Sequence, residues 1–266
     1  MRRLAWLTNL HLNFVTPGHV DRLCRAVRGE GTDAVLLGGD IGEATDVEEQ
    51  LEGLAGGLGL PVYFVLGNHD YYRGSIARVR AGVEALCART PGLHWLPASG
   101  VVALTPETAL VGHDGWADGR FGDYERSGVF LNDYLLIEEL AGLDEKERLS
   151  RLNALGDEAA AHFRAVLPGA LTRSRRVIVL THVPPFREAC RHRGRVSDDA
   201  WLPHFACKAV GEALIEAMAS HPGCEMTVLC GHTHSAGEAQ NLPNLRVLTG
   251  GIEYGRPEMQ RMLTVA

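Results

Sequence analysis

No apolar run in this chain approaches the roughly 20 residues needed to cross a bilayer, which predicts the absence of a membrane span. Cysteine is sparse: Cys24, Cys87, Cys190, Cys207, Cys224 and Cys230 are scattered and form no CxxC pair, so reduced structural thiols are expected, not a disulfide framework. Positive charge is not in excess either. A formal net charge of -7 argues against broad adhesion to nucleic acid, which relies on clustered Lys and Arg, and leaves a small phosphorylated substrate open. Behind Arg2 and Arg3 an apolar stretch begins, but Thr8, Asn9 and His11 break it before a signal-peptide core forms; a cytoplasmic protein is expected. Internal repeats, heptads and low-complexity tracts are missing too.

What remains is the composition of a globular enzyme: 266 residues, 45% hydrophobic and 22% charged, read as a single α/β domain over 1–266. Seven apolar runs recur, "RLAWLT", "AVLLGGD", "PVYFVLGN", "ALVGHDG", "RVIVLTH", "MTVLCGH" and "LRVLTGG", and several of them read as buried strands. Between the early ones, "HVDRLCRAVRGEG", "TDVEEQLEGLAGGLG" and "SIARVRAGVEALCART" have helical spacing. Thr45 with Glu48 suggests a capping box, and Gly29 and Gly31 suggest helix termination. Such alternation predicts βαβ units with sites at the carboxyl ends of strands. Residues 132–173 form the most helical block, expected to cover the sheet. The stretches 114–131 and 183–204 exceed the about 12 to 15 residues usual for structureless loops, which points to function.

The strand ends carry unusual residues. Asn9 and His11 follow the first, Asp40 the second, and Asn68, His69 and Asp70 the third; His182 follows "RVIVLT", and His232 with His234 follow "MTVLC". Singly, "GGD" reads as a turn and "NHD" as an Asx-type loop, and "GHTH" as a Gly-started loop whose two histidines can address adjacent ions, with a satisfied surface loop as the alternative. Together, imidazole and carboxylate suit borderline divalent metals, and a carboxylate such as Asp40 can bridge two ions about 3.5 to 4 Å apart.

This ordered set, "NLH", "GGD", "GNHD", "THVPP" and "GHTH", resembles the signature of the calcineurin-like metallophosphoesterases, D-x-H, G-D, G-N-H-D/E, a later His and G-H-x-H, over residues 9–234. The resemblance implies a sandwich of two mixed β-sheets flanked by helices, with a centre of two divalent ions (Mn, Fe, Zn or Ni). It implies Asn9, His11, Asp40 and His234 around the first ion and Asp40, Asn68, His182 and His232 around the second. Asn9 is the departure, since the family has aspartate there, and it predicts a weakened first position.

The expected reaction is in-line attack on a phosphomonoester or phosphodiester by a hydroxide bridging the ions. The family implies His69 as general acid, with Asp70 expected to orient its ring. Substrate contacts are sought in His113, Trp116 and Arg120, in Arg187, Arg191, Arg193 and Arg195, and in Tyr71 and Tyr72; a Gly-rich turn, a solvated basic face and simple packing are the respective alternatives. Two other functions stay open: a nuclease, and a scaffold protein with a decayed metal centre. Only Asn9 favours the scaffold.

Overall fold

The computed structural model describes residues 1–266. In chain order the strands are β1 (Arg2–Leu7), β2 (Ala34–Gly38), β3 (Val62–Val65), β4 (Leu93–Trp95), β5 (Val102–Thr105), β6 (Thr108–His113), β7 (Arg176–Thr181), β8 (Arg191–His192), β9 (Arg195–Val196), β10 (Glu225–Cys230), β11 (Gly237–Leu242), β12 (Leu245–Thr249) and β13 (Arg261–Val265). The helices are α1 (Pro17–Gly29), α2 (Val47–Leu58), α3 (Ile76–Arg89), α4 (Leu96–Ser99), α5 (Asp133–Leu136), α6 (Glu145–Arg173), α7 (Leu202–Phe205) and α8 (Lys208–Ala219).

Two mixed sheets result, ordered β13-β1-β2-β3-β4 and β11-β12-β10-β7-β6-β5, with β8 and β9 forming a separate hairpin. β1 to β4 run parallel, as do β6, β7, β10 and β12; β13, β11 and β5 close the edges antiparallel. All seven apolar runs of the sequence form strands, and they are the ones with apolar residues on both faces. Leu4 and Trp6 of β1 enter the layer between the sheets with Leu36 and Leu180, whereas Ala5 and Leu7 face the layer under the helices. α6 and α8 cover the outer face of the second sheet, where Phe163, Leu167 and Leu214 join Val177 and Val179. Alternate side chains thus serve different cores, so each strand reads as a continuous apolar run.

Local readings fare differently. α1 ends at Gly29 with Gly31 left-handed at φ 65°, as expected. The capping box at Thr45 is absent: α2 begins at Val47, and Asp46 accepts the Glu43 N–H instead of capping the helix. The helical block contains one 29-residue helix, α6, capped by Asp144 and Glu147. All six cysteines are free thiols. No helix is long and apolar enough to cross a membrane.

Candidate metal centre

Every residue of the ordered set sits just beyond the carboxyl end of a parallel strand, and the two sheets bring these ends together. The first sheet delivers Asn9, His11, Asp40, Asn68 and His69; the second delivers His182, His232 and His234. The loops approach closely because of glycine. A Cβ on Gly39, which is itself left-handed at φ 83°, would lie 2.6 Å from Gly67 N and 2.7 Å from His182 Nδ1.

Five of the seven non-glycine residues with positive φ are in this cluster: Asn9 (51°), His11 (44°), Asp40 (53°), His232 (67°) and His234 (55°). Left-handed backbone costs an L-residue roughly 1–2 kcal/mol, so its concentration at one place marks a functional constraint.

Asp40 lies at the middle, buried. Its Oδ2 is 3.6 Å from His11 Nε2 and its Oδ1 3.3 Å from His182 Nε2, while the His69 N–H donates to Oδ1 at 3.0 Å. Burial opposes ionisation of Asp40, but the surrounding imidazoles of His182, His69 and His11 outweigh it and hold the carboxyl well below its ordinary range.

On one side, His11, Asp40 and His234 bring donor atoms within 4.8 Å of one another, with the two Nε2 atoms 3.0 Å apart. On the other, Asn68 Oδ1 is 3.1 Å from His182 Nε2 and 2.9 Å from His232 Nδ1. The far nitrogens of these two rings meet carbonyls, His182 Nδ1 at Gly38 O (2.8 Å) and His232 Nε2 at His204 O (3.2 Å). With each carbonyl accepting the far N–H, the near nitrogen of each ring faces Asn68 Oδ1. Burial lowers His11 and His232 to about 3, so both rings are neutral. Burial also lowers His234, whereas in His182 the Asp40 carboxylate overcomes burial and raises the pKa.

The two asparagines behave differently. Asn68 Nδ2 donates to Asp133 Oδ1 at 2.9 Å, which turns its oxygen toward the histidines. Asn9 uses Oδ1 to accept the His232 N–H at 2.9 Å, and its Nδ2 is buried without a partner, as is Nδ1 of His11. Imidazole nitrogens, an ionised carboxylate and an amide oxygen suit borderline divalent cations, so the donor set fits such ions, less well at Asn9.

The expected role of Asp70 is corrected. Its Oδ1 accepts the N–H groups of Ile41 and Gly42, and its Oδ2 that of Gly67. It ties the loop after β2 to the loop after β3 and does not orient His69. Burial, helped by the Asp40 carboxylate, pushes it up to about 7 against those three amides. The His69 ring is instead stacked on Tyr72 at 4.3 Å, and Tyr72 OH donates to Asp133 at 2.7 Å.

Substrate expectations divide as well. Tyr72, Arg191 and Arg195 line a cavity of about 660 Å³ beside Asn68, His69, His232 and His234. Tyr71 and Trp116 pack in the core, and His113 lies against His162 and Phe163. Arg120 pairs with Asp118 and Asp157, and Arg187 with Asp199. The segment after β6 is structural: buried Asp114 accepts from Leu66 N, Trp95 Nε1 and Tyr71 OH. Sequence reading missed Asp133, on a helix far from any motif, and Tyr254, whose ring lies 4.4 Å from that of His11. Tyr254 had a signal, since it follows the carboxyl end of β12.

A family model described as calcineurin-like phosphoesterase matches residues 3–236. The chain belongs to this family. Metal-dependent hydrolysis of phosphoric esters is the family's general chemistry, and divalent ions, typically two, are its cofactors. Comparison with curated proteins gives no match. Among solved structures, the phosphopantetheinyl hydrolase of Mycobacterium tuberculosis is similar at 16% identity and a TM-score of 0.66, covering 96% of this chain and 94% of that one. A dimetal phosphatase from Danio rerio follows at 15% identity and a TM-score of 0.60, covering 94% of this chain and 87% of that one. A Thermus thermophilus protein, TT1561, gives 14% and 0.55, with coverage of 94% and 89%. At these identities the likeness is one of fold, the two-sheet phosphoesterase sandwich.

Proposed function

We propose that the chain hydrolyses a phosphomonoester or phosphodiester of a small molecule at two divalent ions flanking Asp40. Asn9, His11, Asp40 and His234 would hold one ion, and Asp40, Asn68, His182 and His232 the other. The observation that carries this reading is Asp40 itself, a buried carboxylate with one oxygen toward His11 and the other toward His182. Ions bound there would supply positive charge to phosphoryl oxygens and lower the pKa of the attacking water; Mn, Fe, Zn and Ni all suit the donors.

The remaining work falls to the chain. His69 lines the cavity with its ring stacked on Tyr72, and it would hand a proton to the departing oxygen. Asp133 holds Asn68 and Tyr72 together, and so couples the second ion's donors to the face on which His69 rests. A cavity of about 660 Å³ is of the size that encloses small ligands, and the chain's net charge of -7 favours a small substrate over nucleic acid.

The test is reconstitution. Metal-free protein is titrated with Mn, Fe, Zn and Ni while bound metal and turnover of 4-nitrophenyl phosphate and bis(4-nitrophenyl) phosphate are followed. Two ions per chain and strictly metal-dependent turnover are expected. Metal binding without turnover of either ester would favour the scaffold reading, for which Asn9 is the one specific observation.

A further inference from the structure

The β8–β9 hairpin contributes Arg191, His192, Arg195 and Val196 to the cavity wall. It pairs Arg191 with Val196 and His192 with Arg195 around a turn in which Arg193 (φ 49°) and Gly194 (φ 79°) are left-handed. Arg191 is built into this hairpin: its Nε donates to Glu188 O at 3.2 Å and Nη1 to Gly194 O at 3.4 Å. Its stem crosses β11 where a Cβ on Gly237 would lie 2.6 Å from Arg191 Cδ. Arg195 is exposed beside it.

Neither guanidinium has a carboxylate partner, whereas Arg187 on the same segment is paired with Asp199 at 2.7 Å. The cavity's own carboxylates are already engaged. Asp198 Oδ1 accepts the N–H groups of Ala200 and Trp201, and Asp133 Oδ1 accepts from Tyr72 and Asn68. In an acidic chain, two uncompensated guanidinium groups therefore share one cavity with the candidate metal centre. The same cavity is lined by the rings of Trp201, Phe205 and Tyr254, with Trp201 and Tyr254 about half exposed.

We infer that Arg191 and Arg195 form a subsite for a second phosphate group of the substrate, joined to the scissile phosphoester by an arm lying along the aromatic wall. The inference rests on the hydrolytic reading above and deepens it. Guanidinium groups bind phosphate through paired N–H donors, and Arg191, already held by two carbonyls, gives up little freedom in doing so. Such charge-assisted contacts favour the doubly anionic compound by roughly ten- to a hundredfold in affinity.

The test uses matched 4-nitrophenyl alkyl phosphates whose alkyl arm ends either in methyl or in phosphate, over a series of arm lengths. Binding is measured by calorimetry and turnover by nitrophenolate release, on the metal-loaded protein. The phosphate-ended member is expected to bind more tightly and to have the lower KM. Arg191→Gln and Arg195→Gln should each remove most of that preference, and circular dichroism with bound-metal analysis checks that each variant is folded. Arg193→Gln, outside the cavity lining, should retain the preference. Equal binding of both members at every arm length, or equal loss in Arg193→Gln, would overturn the subsite. A preference lost in Arg195→Gln with no turnover of either ester would leave the subsite standing and remove the hydrolytic reading.

Discussion

Asn9 accepts the backbone N–H of His232 at 2.9 Å through Oδ1, and its Nδ2 is left buried and unpaired. An aspartate in this position would meet the same N–H with one oxygen and offer the other, with its charge, to a cation. Asn9→Asp is therefore expected to raise metal affinity by at least the roughly 10 to 100-fold that changes around metal ligands produce. Turnover at limiting metal should rise with it. Metal titration and rates on the two proteins check this; unchanged values of both would show that position 9 does not face the ions.

Asp40→Asn removes the carboxylate that faces both donor groups. Loss of at least one ion per chain and near-complete loss of turnover are expected, measured by metal analysis of folded protein. Full occupancy at an undiminished rate would rule out a shared role.

Asp133 turns Asn68 by accepting from its Nδ2. Asp133→Ala frees the amide to rotate, and affinity at the second ion should weaken by about 10 to 100-fold. Asp133→Asn, which keeps an acceptor oxygen, should lose less. Competition with a chelator separates the two variants.

Asp70→Ala leaves the N–H groups of Ile41, Gly42 and Gly67 without their acceptor. Each buried unpaired donor costs about 1–3 kcal/mol, so denaturant unfolding of the metal-free protein should show a loss of about 3 kcal/mol or more. A variant as stable as the parent would contradict the loop-tying role.

His69→Gln should keep its metal and slow hydrolysis by about 10² to 10⁴-fold for alkyl esters. The defect should shrink for nitrophenyl esters, whose leaving group departs without a proton. Equal slowing of both would count against proton donation.

The interior parallel strands were legible because their residues are apolar on both faces; the edge strands, parallel β4 among them, were not. β11, "GEAQNL", is polar and partly exposed, and β4 is three residues long, so neither carries a periodic signal. The candidate metal cluster was legible because each proposed ligand follows its strand directly in sequence. Asp133 and the Ile41 and Gly42 partners of Asp70 were hidden, since they depend on contacts across 65, 29 and 28 residues of chain. Arg120 and Arg191 look alike in sequence. Only packing shows that Asp118 and Asp157 neutralise the first while no carboxylate meets the second.

The left-handed turns at 9, 11, 40, 232 and 234 also restrict what these positions can become. Asn, Asp and His are the non-glycine residues that enter this conformation most readily, and β-branched or bulky side chains are outliers there. Glycine would relax the turn but remove the donor. A residue leaving position 9 therefore has few destinations that keep the loop intact, and exchange between aspartate and asparagine is the smallest of them. It alters one charge without reshaping the backbone, so the strength of metal binding can drift at this site while the architecture around it stays fixed.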